Sequence, residues 1–226
     1  MGRGLAVVVL WGALGCSYSP PIRGLHPGMP GRLVRGQLEI GGDLGGAGFR
    51  SGGVTAPTTG GPHVAYGLSD TLVVEGGANL NFFEGAWATA YAGVRLSRSK
   101  PLSNGLQLVG ELEAGAGLGI GGRTRDASAP SWASPSYGLY EGFGLGLRGK
   151  WLGAYLRGRV DASASTTAPA TLWPTLMVGL EARAGSHVAF GLGTGLGGYW
   201  NERDALVGIW FYEAQVALLF DLLPSK

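Results

Sequence analysis

The sequence predicts an all-β fold, a closed, antiparallel, up-and-down β-barrel of about ten strands, or eight if the shortest segment is not a strand. Ten segments alternate apolar residues with polar residues or glycine. Short and long connections alternate between these segments, which is typical of a barrel made of hairpins. Glycine supplies 44 of the 226 residues, and charged residues are only 14%. That is less charge than an ordinary soluble domain carries.

The alternation is clearest in LQLVGELEAGAGLGI, residues 106–120. Its even positions are apolar or glycine, whereas its odd positions include Gln107, Glu111 and Glu113. A period of two indicates a β-strand with two different faces. The pattern predicts strands in segments 33–44, 62–68, 71–81, 86–97, 106–120, 137–148, 151–163, 172–183, 187–199 and 207–220. Segment 62–68 is short and needs an extension back through residues 58–61 to count as a full strand.

Charged side chains fall on the face opposite the leucines and valines in nearly every segment. The predicted network consists of Arg35, Glu39, Asp43, Glu75, Arg95, Glu111, Glu113, Arg148, Arg157, Arg159, Asp161, Glu181, Arg183 and Glu213. All its cations are arginines, which suits a confined site because the planar guanidinium pairs bidentately with carboxylates. Glu141 breaks the rule. We expect either a bulge between Tyr137 and Phe143 or a position for Glu141 in the lipid headgroup layer.

Alternation alone leaves open which face is outside. A soluble barrel would place its apolar face inside, whereas a transmembrane barrel reverses this. The charged face is rich in glycine, its charges nearly balance, and aromatic residues gather near the segment ends. These features favour a transmembrane barrel with a small charged lumen. The aromatic residues expected to form two girdles are Phe82, Phe83, Trp87, Tyr137, Trp173, Tyr199, Trp200 and Trp210 toward the long connections, and Tyr66, Trp151, Phe190 and Phe220 toward the short turns.

The N-terminus carries an apolar run, LAVVVLWGALG, after Arg3, and this run is too short for a transmembrane helix. It predicts a secretory signal peptide over residues 1–15. The run ends at Cys16, the only cysteine in the chain. Residues 16–32 are rich in proline and glycine and predict a tether. The predicted barrel spans residues 33–220, and residues 221–226 form a tail.

The stretch Ala13-Leu14-Gly15-Cys16 resembles the lipobox of bacterial lipoproteins. That resemblance implies cleavage before Cys16 and lipidation of its thiol, and Ser17 is compatible with sorting to the outer membrane. The alternative is an ordinary cleaved signal followed by an unrelated cysteine.

Residues 33–220 resemble the outer-membrane β-barrel family in their pattern of strands, and their last strand, WFYEAQVALLF, ends in Phe220. The resemblance implies a location in the outer membrane of a Gram-negative-type bacterium. It also implies contact with outer-membrane lipid, and recognition of the C-terminal strand ending in Phe220 by the assembly machinery.

The sequence predicts no enzyme, cofactor or metal site. Lys and Arg total 17 against 15 Asp and Glu, so no basic surface for nucleic acid is expected. A rim hydrolase built from His63, Asp204 and Ser128 is the enzymatic alternative.

The predicted role is structural or one of surface interaction. Two alternatives stay open, a narrow porin-like pore for a small polar solute and a soluble lipidated periplasmic barrel that binds an apolar ligand.

Overall fold

The computed structural model describes residues 28–48, 59–81, 86–122, 134–166, 170–201 and 205–223. The predicted signal peptide, Cys16, most of the predicted tether and the end of the tail lie outside these ranges, as do Phe82, Phe83, Ser128 and Asp204. A membrane-spanning helix is not found within the described ranges.

Ten antiparallel strands close into one barrel, as predicted. They are β1 (Gln37–Gly48), β2 (Thr59–Gly67), β3 (Leu72–Asn81), β4 (Ala86–Pro101), β5 (Gln107–Gly122), β6 (Ser134–Arg148), β7 (Leu152–Ser165), β8 (Thr171–Ala184), β9 (Val188–Trp200) and β10 (Ala205–Asp221). Each strand pairs with its neighbours in the chain, and β1 closes the barrel by pairing with β10. The short segment 62–68 is a full strand because it extends back to Thr59.

Short connections lie at one end of the barrel, which we call the turn end; the opposite end is the loop end. Between β4 and β5, a 3-10 turn spans Ser103–Gly105, with positive φ at Asn104 and Gly105. Between β8 and β9, Gly185 has a φ of 71°. Asparagine and glycine tolerate this left-handed backbone best, which explains their places in these turns.

The two faces of the barrel differ sharply in chemistry. Side chains such as Leu112, Leu118, Leu139, Leu180 and Leu192 are between 63% and 70% exposed on the outside. Polar and charged side chains are buried on the inside. The alternative of a soluble barrel with an apolar interior is therefore wrong for this chain, because its lumen is charged and its leucines point outward.

Glu141 lies on the outer face, and the bulge expected near it is absent. The pairing of β6 with β5 runs without interruption from Ser134 to Arg148. A register shift occurs instead in β10, between Val207 and Ile209, where Gly208 has a φ of 93°.

The aromatic girdles are only partly as expected. Tyr137, Trp200 and Trp210 are exposed on the outer face toward the loop end, and Trp151, Phe190 and Phe220 are exposed toward the turn end. Trp87 and Trp173 are instead buried. Both occupy odd positions in strands whose odd side chains point into the lumen, so the prediction for these two residues is wrong.

Candidate functional site in the barrel lumen

The N-terminal residues 28–33, which we call the plug, lie inside the barrel at its turn end. All six are buried, and Met29 and Leu33 are only 1% and 2% exposed. Met29 packs against Tyr155 and Met177, and Leu33 packs against side chains of β2, β3 and β10. Gly31 and Gly36 have φ angles of 60° and 79°, which permit the bends that turn the chain inward. Part of the predicted tether is therefore packed within the lumen.

Arg32 of the plug is the centre of a buried ion cluster. Its Nε donates to Glu39 Oε2 at 2.7 Å, and its Nη1 donates to Glu181 Oε2 at 2.9 Å. Its Nη2 contacts Glu39 Oε1. Burial by itself lowers the pKa of Arg32, but the carboxylates of Glu39 and Glu181 outweigh burial and raise it above its ordinary value. Arg32 is therefore a permanently charged anchor inside the barrel.

His63 and Gln215 complete this cluster. His63 Nε2 lies 2.9 Å from Glu39 Oε1 and 3.1 Å from Gln215 Nε2. His63 is 5% exposed, so its expected place near the outer rim is wrong. Because β2 begins at Thr59, residue 63 lies inside the strand and points into the lumen. The hypothesis of a rim hydrolase thereby loses its histidine.

The barrel wall also binds the main chain of the plug. The amides of Met29 and Gly31 donate to Glu181 and Glu111, each at 2.8 Å. Wall arginines also donate to carbonyl oxygens of the plug, and Arg148 Nη1 donates to that of Gly31 at 2.7 Å. Arg157 Nε donates to the carbonyl oxygen of Gly28 at 2.8 Å. The plug is thus bound through its main chain as well as its side chains, by wall residues of β5, β6, β7 and β8.

Further ion pairs line the wall around the plug, some between strands and some within one strand. Arg157 bridges Glu111 at 2.7 Å and Glu113 at 3.1 Å. The other pairs are Arg95 with Glu75 at 3.0 Å, Arg159 with Asp161 at 2.8 Å and Arg183 with Glu181 at 3.0 Å. The hydroxyl of Tyr140 donates to Glu75 at 2.9 Å across the lumen. These contacts pair the buried charges of the lumen in several groups.

Glycines on the inner wall accommodate large side chains that lie flat against it. A Cβ at Gly115 would sit 2.4 Å from Tyr140 and from a main-chain oxygen of β4, and a Cβ at Gly179 would sit 2.3 Å from Tyr155. A Cβ at Gly146 would sit 2.5 Å from Met29. The glycines of the charged face therefore make room for aromatic side chains and the plug rather than for an open passage.

Of the predicted network, the structure places all members except Arg35 on the inner wall. Arg35 is exposed in the bend before β1. Its inclusion in the lumen network is wrong because the alternation was extended beyond the start of the strand. With Arg35 excluded, the wall holds eight carboxylates and five arginines, and Arg32 of the plug supplies a further cation that the sequence reasoning missed. Gln215 also belongs to the Arg32 cluster, but nothing in the sequence marked it as part of the site.

Within the described ranges, no group of three or more His, Cys, Asp or Glu residues is arranged to hold a metal ion.

Comparisons with known proteins give structural similarity only. No family model matches the chain, and no curated protein matches it. The N-terminal β-barrel domain of OprF from Pseudomonas aeruginosa is similar with 13% sequence identity and a TM-score of 0.41, covering 83% of this chain and 100% of that one. Neisserial surface protein A (NspA) is similar with 9% identity and a TM-score of 0.24, covering 82% of this chain and 96% of that one.

Proposed function

We propose that this chain is an outer-membrane β-barrel with a structural or surface-interaction role, and that its own N-terminal segment closes the lumen. The occupied lumen is the observation that carries the proposal. Plug residues and wall side chains fill the turn end, where a channel would need continuous water.

The outer surface supports a membrane location. A continuous outward face of leucine, valine and alanine surrounds the barrel, with exposed aromatic side chains toward both ends. The strands contain between 9 and 17 residues, and about 9–11 tilted residues cross a bilayer. Exposure of this much apolar surface to water would be unfavourable, at about 25 cal/mol per Å². A bilayer removes that cost.

Lipidation of Cys16 is compatible with an inserted plug. The eleven residues between Cys16 and Gly28 can extend roughly 36–40 Å when straight. That length allows the lipid to reach the inner leaflet of the outer membrane while the plug stays inside the barrel. Phe220, which is 41% exposed on the outer face of β10, is the residue we assign to recognition by the assembly machinery.

A narrow pore for small polar solutes is the second candidate. The plug is held only by noncovalent contacts, so its withdrawal would leave a lumen lined by carboxylates and arginines. Conductance in planar bilayers separates the two functions. Discrete conductance steps from the intact protein would favour the pore, whereas a silent trace that gains steps after removal of residues 17–33 would favour the closed barrel.

Mobility on SDS gels tests the membrane barrel itself. We expect the protein from isolated outer membranes to migrate faster unheated than boiled, because closed membrane barrels commonly resist SDS until they are heated. Release from membranes on loss of the N-terminal anchor, with no heat-dependent shift, would contradict the proposal.

A further inference from the structure

Glu141 places a carboxylate on the lipid-facing surface at mid-strand. It is exposed, seven residues from each end of β6, and its neighbours across the strands are Ala114 and Val160. Along β6, Tyr137 and Leu139 lie outward on one side of it, and Phe143, Leu145 and Leu147 on the other. The carboxylate is therefore inside the apolar band.

The headgroup layer is out of reach for this side chain. Tyr137, the aromatic residue toward the loop end, is four residues away along β6. At about 3.3 Å per residue and a tilt of about 40°, the depth difference is roughly 10 Å. A glutamate side chain is too short to span that distance. The expected position in the headgroup layer is therefore wrong.

Nothing in the described part of the chain hydrogen-bonds or pairs with the Glu141 carboxylate. A polar group in hydrocarbon needs a partner. Ionisable residues within the membrane mark contacts or pathways for this reason. The described part of the barrel therefore leaves this carboxylate without a partner.

The outer surface beside Glu141 carries a groove lined mainly by small and apolar side chains. A groove of about 600 Å³ lies on the outer face of β4, β5 and β6. Small side chains form much of it, including Ala90, Ala92 and Ala116, and Leu139 borders it next to Glu141. Small residues let the main chains of two membrane segments approach closely.

We propose that this groove binds a membrane-spanning segment of a different protein, one that presents an arginine or lysine side chain to Glu141. A charge-assisted hydrogen bond would then satisfy the carboxylate. This inference rests on the proposed membrane location.

A second copy of this chain fits less well. Symmetry about an axis normal to the membrane brings residues of equal depth together. The exposed basic side chains of the described outer surface are Arg35, Arg98, Lys100 and Lys150, and all lie toward the turn end. Among its described residues, a second copy would therefore oppose Glu141 with no cation at its depth.

Photo-crosslinking in native outer membranes tests the proposal. Benzoylphenylalanine is placed at Ala116 in the groove and, as a matched control, at Ala214 on the outer face of β10, on the other side of the barrel. We expect crosslinking at Ala116 to a peptide from a membrane-spanning segment of another protein that contains arginine or lysine. The yield should fall at least about thirtyfold in Glu141→Leu, since truncating one member of a desolvated charge pair weakens binding by that order. Restoration by Glu141→Arg together with an acidic residue in the partner would confirm the pairing.

Other outcomes overturn the proposal. Adducts with lipid alone, adducts with a second copy of this chain, or a crosslink that survives Glu141→Leu would each refute it. The heat-dependent gel shift of the same variants tells failure of the groove proposal apart from failure of the membrane-barrel proposal. If the shift is kept and no partner is found, only the groove proposal fails; if the shift is absent in the wild type, the membrane barrel itself fails.

Discussion

Replacing Arg32 by leucine should weaken the binding of the plug in the lumen, so that it opens more often. Arg32 contacts Glu39 and Glu181, and all three side chains are almost completely buried. Removing one member of a buried ion pair costs roughly 3–5 kcal/mol, because it leaves uncompensated charge in a poorly solvated site. Here two carboxylates lose their cation together. Burial of Met29 and Leu33 contributes about 1.5–3 kcal/mol each in the opposite direction, so the two effects are of comparable size.

We expect faster hydrogen exchange in the plug only, and not in the strands of the barrel. The amides of Met29 and Gly31 donate to wall carboxylates and should exchange slowly with solvent in the wild type. A loss of 3–5 kcal/mol corresponds to a rise in opening of roughly one hundred- to several thousandfold. Hydrogen-exchange mass spectrometry of the peptide containing residues 28–36, in lipid vesicles, measures this increase. Strand amides should remain protected.

Arg35→Leu is the matched control, since Arg35 is exposed and lies three residues away in the chain. It should leave exchange of the plug unchanged, as surface substitutions usually alter stability by less than about 0.5 kcal/mol. Equal exchange in wild type and Arg32→Leu would refute the reasoning. So would an equal effect from Arg35→Leu.

Three further predictions follow from the lumen and the outer face. Gly115→Trp should lower the yield of folded, heat-modifiable barrel, because even a Cβ would lie 2.4 Å from a main-chain oxygen of β4. The control Ala114→Trp, on the outer face, should fold normally. A lower yield for Ala114→Trp than for Gly115→Trp would contradict the assignment of faces. Val178→Arg should destabilise the barrel in urea titrations by about 2–4 kcal/mol, the cost of arginine at the bilayer midplane; an unchanged midpoint would argue that Val178 does not face lipid. Tyr140→Phe should cost about 1.5–3 kcal/mol in the same titration, because Glu75 loses a charge-assisted hydrogen bond of 2.9 Å; no loss would mean that water replaces the hydroxyl.

The strands and their faces could be predicted because a period of two is a local property of the chain. Leu108 and Glu111 belong to opposite faces wherever β5 lies in the barrel. The strand count depended on one short segment, 62–68, which begins with Pro62 and is preceded by Gly60 and Gly61, residues that carry no alternation. Pairing with β1 and β3 extends that strand to Thr59.

The plug could not be predicted because residues 28–33 have the composition of a linker. Proline and glycine obscure any periodicity, and the contacts of Arg32 come from residues far apart in the sequence, such as Glu181 and Gln215. In the predicted network, eight carboxylates against six arginines look nearly balanced, and the excess becomes clear only once the structure removes Arg35 from the wall. The sequence did single out Glu141 as an exception, but its depth along β6 needed the register of the strand pairs.

The central claim is that the face of leucine and alanine contacts lipid while the charged face surrounds a filled lumen. Nitroxide labels at Ala90 and Thr89 test it most directly, because these neighbours on β4 point outward and inward, respectively. In vesicles that contain only the purified protein, the label at Ala90 should collide readily with oxygen and poorly with a polar nickel reagent, which indicates hydrocarbon. The label at Thr89 should be shielded from both. A label at Ala90 that collides mainly with the nickel reagent would contradict the claim, because that surface would then face water.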